Sequence, residues 1–138
     1  MIKFNEITLD YEPRKKVLPK LQDCPIDFMK PEMSEFDSAF LCGLLKTYRP
    51  KKILEVGVAN GSTTVIILQA LEDIGKPYEM HSVDVSEKLY NDKTKSTGFM
   101  ATFAKENNLF ASQSASGVEY DYLLENNFYT PPPVNFDR

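Results

Sequence analysis

The chain contains the segment Ile53-Leu-Glu-Val-Gly-Val-Ala-Asn-Gly-Ser62, in which a short apolar run leads through small residues into the start of a helix. The apolar run is typical of a buried parallel strand. Gly57 and Gly61 allow backbone dihedrals that other residues rarely adopt, and they leave no side chain in the path of a ligand. A helix N-terminus offers free N–H groups and a partial positive charge. The segment therefore predicts a ligand-binding turn at the carboxyl end of a strand.

A helix is predicted before this segment. It begins after Ser34, a residue type that caps helix N-termini well, and it stops before Pro50. Apolar side chains recur every four residues along it, and we expect this stripe to pack in the core. The stripe consists of Phe36, Phe40, Leu44 and Tyr48, with Leu41 and Leu45 beside them.

The remaining pattern alternates strands with helices, which indicates an α/β fold with a parallel sheet. Residues 1–33 carry four of the prolines and are predicted to form an irregular leader, so the domain proper is expected at 34–138. Helices are predicted over 62–74, from 99 to about 107, and over 117–126. Strands are predicted over 52–57, 78–84 and 109–112.

Composition and charge argue against several classes of function. The formal net charge is −4 at pH 7, whereas a nucleic-acid-binding domain usually has a basic face, so we predict no nucleic-acid partner. The longest apolar run, Val65-Ile-Ile-Leu68, is far too short to span a membrane, and no membrane partner is predicted. Two cysteines and one histidine are too few for a zinc site, which needs about four ligands. We interpret Cys24 and Cys42 as reduced thiols of a cytoplasmic protein.

Two nucleotide-binding patterns compete for the glycine-containing turn. The dinucleotide fingerprint of an NAD-type oxidoreductase requires three glycines, but its positions hold Gly57, Ala59 and Ser62. The pattern acidic-x-Gly-x-Gly-x-Gly is matched by Glu55, Gly57 and Gly61. Ala59 stands in place of its middle glycine. A carboxylate at position 55 would repel a pyrophosphate but not a protonated amine, so the sequence favours the second pattern.

A second acidic residue, Asp84, ends the next predicted strand. A carboxylate at that position can accept hydrogen bonds from the hydroxyls of a cofactor ribose. Both NAD and S-adenosylmethionine carry this diol, so Asp84 supports either cofactor. His81, in the same strand, is interpreted as a packed residue rather than a catalytic base.

Together these motifs resemble class I S-adenosylmethionine-dependent methyltransferases, and most closely the O-methyltransferase-like group that acts on small molecules and sugars. Residues 53–64 and 81–86 carry the resemblance, and residues 90–98 are similar to the loop after the second strand of that group. The resemblance implies a Rossmann-like three-layer sandwich, S-adenosyl-L-methionine as cofactor, and a small-molecule or sugar acceptor.

The resemblance also implies a role for individual residues. Asp84 would hold the ribose, and Val85 would lie against the adenine. Gln113 or Ser114 would lie near the adenine ring. The residues expected to line the methionine part are Glu55, Gly57, Val58, Ala59, Asn60 and Gly61.

The family's sheet usually has seven strands, and its catalytic or metal-binding acid usually follows the fourth. Three strands are predicted here, and Val134-Asn-Phe-Asp-Arg138 resembles the beginning of the fourth. We therefore expect a domain truncated before that strand, with no metal ligand and no catalytic residue that can be named. The first strand would then have an open apolar edge that favours self-association. A non-catalytic cofactor-binding or interaction module is the alternative, and an NAD-type oxidoreductase is a third.

Overall fold

The computed structural model describes residues 1–25, 33–75, 78–84 and 86–110. In these ranges the chain is a mixed α/β protein with four α-helices and a two-stranded parallel sheet. None of the helices in these ranges combines the length and apolarity needed to cross a bilayer. The elements are α1 (Glu12–Lys20), α2 (Glu35–Tyr48), β1 (Lys52–Val56), α3 (Ser62–Ile74), β2 (Glu79–Val83) and α4 (Phe99–Glu106).

Helix α1 lies where the sequence predicts an irregular leader. Pro13 is in its first turn, where the missing N–H costs no hydrogen bond, and Pro19 is in its last turn. Val17, between them, is fully buried in the core. The sequence prediction takes each proline as a break in a helix, whereas a proline in the first turn is compatible with the helix. A single 3-10 turn, Phe4–Glu6, precedes α1.

Helix α2 begins and ends close to its predicted bounds. The Ser34 hydroxyl accepts a hydrogen bond from the N–H of Asp37 at 3.1 Å, and Arg49, just before Pro50, adopts the left-handed conformation at φ 46°. The Ser34 hydroxyl thus satisfies an N–H group of the first turn, and the left-handed conformation of Arg49 ends the helix. The predicted start after Ser34 and stop before Pro50 are thus confirmed.

The prediction that the stripe of α2 packs in the core is confirmed for Leu45, which is buried, but not for the two ends of the stripe. Phe36 is 59% exposed, and Tyr48 is also exposed. The buried apolar side chains of α2 are those of Ala39, Cys42 and Leu45. Cys42 and Leu45 belong to the same core cluster as the buried side chains of α3.

Helix α3 forms the centre of the described part of the chain. Its bounds match the prediction, because Gly61 and Gly75 take left-handed conformations at its two ends. It packs against α1, α2 and α4. Nine of its thirteen residues are buried, and each fully buried aliphatic side chain stabilises the fold by roughly 1.5–3 kcal/mol.

The two strands pair in parallel, as predicted, with Glu55 opposite Ser82 and Val56 opposite Val83. Within the described residues β1 pairs with no other strand. The side chains of Leu54 and Val56 are 50% and 66% exposed. The first residues of the predicted third strand, Leu109 and Phe110, form a turn instead. Its remainder and the predicted helix over 117–126 lie outside the described residues.

Candidate functional site

The turn between β1 and α3 alternates left-handed with ordinary residues. Gly57, Ala59 and Gly61 have φ values of 85°, 50° and 90°. The N–H of Gly57 donates to the carbonyl of Val83 at 2.8 Å, which extends the sheet ladder by one residue. Glycine takes this conformation freely, whereas it costs an alanine roughly 1–2 kcal/mol. The small residues of the motif are therefore required by the backbone path.

The two glycines of the turn differ in their surroundings. A Cβ on Gly61 would lie 3.2 Å from backbone atoms of Gly98 and 3.3 Å from the N of Ala101. A Cβ on Gly57 would meet no atom within 4 Å. Gly61 thus permits the close approach of α4 to the turn, whereas Gly57 borders open space at the end of β1.

The N-terminus of α4 is bound to the same turn. The N–H groups of Gly98 and Met100 donate to the carbonyls of Ala59 and Asn60 at 2.8 and 2.9 Å. The Asn60 side chain accepts a hydrogen bond from the N–H of Ser62 at 2.9 Å. The polar groups of Asn60 therefore hold together the turn and the starts of both helices.

The Asp84 carboxylate fastens the turn to the end of β2. Its Oδ2 accepts hydrogen bonds from the N–H groups of Val58 and Ala59 at 2.7 and 3.1 Å. Its Oδ1 accepts one from the N–H of Ser86 at 3.1 Å. A carboxylate offers about four lone-pair sites, so these bonds leave room for one further donor at Oδ1.

Glu55 is a buried carboxyl group beneath the turn, with 8% of the residue exposed. Its Oε2 accepts hydrogen bonds from the hydroxyls of Thr64 and Ser82, at 2.8 and 2.7 Å. Its Oε1 is buried and has no hydrogen-bond partner. Burial raises the pKa of Glu55 to about 7, although the Ser82 and Thr64 hydroxyls oppose that rise, and the Asp84 carboxylate adds to it. Glu55 is therefore poised between its neutral and ionised forms at neutral pH.

A cavity of about 500 Å³ lies along β1 beside this carboxyl group. Its wall is mostly apolar, and Leu41, Ile53 and Ile67 contribute to it. Asp37 and Glu55 are its acidic residues, and Gly57 forms part of its rim at the turn. The cavity thus combines an apolar wall with carboxyl groups, a lining that suits a ligand with an apolar part and a cationic group.

A smaller cavity of about 190 Å³ adjoins Asn60. Leu89, Tyr90, Asp92 and Lys95 line it from the segment after β2. Part of the segment 90–98, which carries one of the sequence resemblances, therefore lies next to the turn.

His81 lies outside the cluster formed by Glu55, the turn and Asp84, and it contacts Glu79. Its Nε2 lies 2.5 Å from Oε1 of Glu79, and this hydrogen bond lowers the pKa of Glu79. His81 alternates with Ser82 along β2, so it faces away from Glu55. This position agrees with its interpretation as a packed residue.

The structure brings together seven of the residues predicted to contact the cofactor. Glu55, the turn residues and Asp84 meet at the carboxyl ends of β1 and β2, although the Val58 side chain is buried with Val83 and Ala101. Val85, Gln113 and Ser114 lie outside the described residues. No group of three or more His, Cys, Asp or Glu side chains within the described ranges could hold a metal ion.

The sequence reasoning missed Thr64 and Ser82, the two hydroxyl residues that hold Glu55. A signal for Ser82 existed, since it lies directly opposite Glu55 once the two parallel strands are aligned. Thr64 carries no such signal, because only the packing of α3 on the sheet brings it to the carboxyl group.

A scan against protein-family models, a search of curated proteins and a search of solved structures each gave no match.

Proposed function

We propose that this chain is the cofactor-binding domain of an S-adenosylmethionine-dependent methyltransferase, built on a Rossmann-like three-layer sandwich. The observation that carries the proposal is the Glu55 carboxyl group, which is buried beside a glycine turn and has one oxygen without a hydrogen-bond partner. An unpartnered buried acceptor is costly to a fold. A ligand ammonium group would satisfy it, and the methionine part of this cofactor carries one.

The other residues of the turn suit the rest of the cofactor. Three acceptor sites of the Asp84 carboxylate are taken by backbone N–H groups. One ribose hydroxyl, and not both, would therefore donate to the remaining site on Oδ1. The open space beside Gly57 would leave room for the ligand. Val85 and Ser114 are proposed to contact the adenine.

When bound, the cofactor supplies an electrophilic methyl group on its sulfonium. The task of the chain is to orient that group towards a nucleophilic oxygen or nitrogen of a small molecule or sugar, and such positioning accounts for much of the rate in this class of reaction. Both cysteines are free thiols, and we propose a cytoplasmic location, where thiols remain reduced.

An NAD-type function fits the turn less well. A dinucleotide pyrophosphate is held by the free N–H groups of a helix N-terminus. The first N–H of α3, that of Ser62, already donates to the Asn60 side chain. The Glu55 carboxylate beneath the turn would in addition repel the phosphates when ionised.

The test compares two ligands on the purified protein. S-adenosylhomocysteine is expected to raise the melting temperature in proportion to its concentration, because a ligand that binds only the folded state stabilises it by mass action. NAD is expected to have no effect at equal concentration. A larger shift with NAD, or none with S-adenosylhomocysteine, would overturn the proposal.

A further inference from the structure

Glu55 differs from an ordinary ligand-binding carboxylate in how its two oxygens are used. Both hydroxyl donors, Thr64 and Ser82, bond to Oε2. Oε1 is left without a donor, in a residue that is more than nine-tenths buried and lines the cavity along β1. In an ionised carboxylate the Thr64 and Ser82 hydroxyls stabilise the charge at Oε2 only, and the share on Oε1 is buried without a donor, whereas a neutral carboxyl can carry its proton on Oε1.

The charged side chain that acts on Glu55 is a carboxylate, which favours the neutral form of Glu55. Asp84, at the end of β2, is a second carboxylate and raises the pKa of Glu55. Asp37 of α2 lines the same cavity. On α3 the nearest polar group is the Thr64 hydroxyl, and the first turn of that helix carries no charged residue. On β1 itself, Lys52 pairs with Glu79, at the opposite end of the strands.

We propose that ligand binding in the cavity that Glu55 lines is linked to a proton: when the ammonium group of a ligand pairs with the Glu55 carboxyl, Glu55 releases its proton to the solvent. The protein thus binds its cofactor more tightly as the pH rises. This inference rests on the proposed function, since it takes the cofactor's amine as the cation.

The step balances simply. The O–H bond of the neutral carboxyl breaks, the proton passes to water or buffer, and the carboxylate forms an ion pair with the ligand ammonium. No bond of the ligand changes. Without a cation nearby, the buried carboxylate is less stable than the neutral carboxyl. The ammonium group of the ligand removes this difference in free energy.

The linkage predicts a specific dependence of affinity on pH. Since free Glu55 titrates near neutrality, the dissociation constant for S-adenosylhomocysteine should fall roughly tenfold from pH 5.5 to pH 7.0. Over this range the ligand amine, whose pKa is about 8 or above, stays charged. A fixed carboxylate would give a flat profile.

The experiment is isothermal titration calorimetry of the wild-type chain with S-adenosylhomocysteine at pH 6.0, in buffers of different ionisation enthalpy. We expect close to one proton released per ligand bound. Glu55→Gln should bind without proton release and without the pH dependence, because the amide cannot ionise. Glu6→Gln, which alters an exposed carboxylate paired with Lys3, is the matched control and should behave as the wild type.

A measurement on the wild type guards against a variant that does not fold. Carbon-13 NMR of the glutamate carboxyls should show one that titrates near neutrality in the free protein and below pH 6 in the complex. Binding without proton release in the wild type would overturn this inference and leave the proposed function standing. Absence of binding at every pH would overturn both.

Discussion

The backbone N–H of Val58 donates a hydrogen bond of 2.7 Å to Oδ2 of Asp84, across the carboxyl ends of two neighbouring parallel strands. The bond joins the turn after β1 to the residue after β2. Asp84 is therefore part of the framework of the turn, in addition to its proposed contact with a ribose. Substitution of Asp84 should therefore change both the stability of the fold and the affinity for the ligand, and each can be measured separately.

Asp84→Ala should lower both stability and ligand affinity. Hydrogen bonds to a charged group are worth roughly 1.5–3 kcal/mol, so losing the bonds from Val58 and Ala59 should reduce the free energy of unfolding by about 2 kcal/mol or more. Urea denaturation measures the first effect, and titration with S-adenosylhomocysteine measures the second. Asp92→Ala is the control, because Asp92 likewise accepts a hydrogen bond from a nearby N–H, that of Thr94, in an exposed loop. A stability equal to that of the wild type would contradict the framework role.

Ala59→Gly should stabilise the protein. Ala59 has a φ of 50°, which costs an L-residue roughly 1–2 kcal/mol, whereas the added entropy of glycine in the unfolded chain costs roughly 0.5–1 kcal/mol. A net gain of about 0.5 kcal/mol is expected in urea denaturation. Ala70→Gly, inside α3, should instead lose about 2 kcal/mol, because the loss of a buried methyl group adds to the helix propensity cost. A loss at both positions would show that the Ala59 methyl group makes a packing contribution larger than the backbone cost.

Gly57→Ala should abolish cofactor binding with a limited effect on stability. The new Cβ meets no protein atom, so the folded state bears only the left-handed conformation, roughly 1–2 kcal/mol. Gly75→Ala carries the same backbone cost at φ 75° but lies at the far end of α3. It should be destabilised similarly and still bind S-adenosylhomocysteine. Equal binding by both variants would show that the space beside Gly57 is not used by the ligand.

Gly61→Ala should destabilise the fold more than Gly57→Ala. Its Cβ would approach the backbone of Gly98 at 3.2 Å, and backbone atoms cannot move away as a flexible side chain can. The α4 helix would have to shift from the turn, in addition to the conformational cost. Thermal unfolding of the two variants side by side measures the difference, and the opposite order would contradict the packing of α4 on this turn.

Glu55 should make stability fall as the pH rises from about 4.5 to about 7. Its folded pKa, about 7, lies above its ordinary value of 4.5, so the folded state holds a proton that the unfolded state has already lost in this window. Unfolding is then favoured with rising pH, by about 3 kcal/mol in total. Urea denaturation at pH 5 and pH 8 should show a smaller fall in Glu55→Gln than in the wild type. Parallel pH profiles for the two proteins would contradict the raised pKa.

Leu54 and Val56 should contribute to self-association through the edge of β1. Both side chains are at least half exposed on a strand that has one paired edge within the described residues, and such edges are templates for pairing. Val56→Lys should keep the fold and lower the mass measured by light scattering at high concentration. Lys52→Gln, which changes an exposed side chain at the other end of the strand without placing a like charge opposite Glu79, serves as control. A wild-type protein that is monomeric at all concentrations would remove the edge as an interaction surface.

Local signals in the sequence determined much of the fold. The Ser34 cap and the glycines at 61 and 75 set helix ends, because capping and left-handed termini depend on a few neighbouring atoms. The turn 57–61 and its position after a strand were readable for the same reason. Such features need no knowledge of distant parts of the chain.

Tertiary structure decided which faces are buried and how each polar group is used. The apolar stripe of α2 has the right spacing for a core, yet Phe36 and Tyr48 are exposed while Cys42 and Leu45 pack with α3. The sequence predicts that Asp84 binds a ribose. In the structure its carboxylate also accepts hydrogen bonds from two N–H groups of the turn. Glu55 was identified from its spacing, whereas its raised pKa arises from burial and from residues on α3 and β2. Burial and hydrogen bonding between distant segments are properties of the packed chain, and no local pattern encodes them.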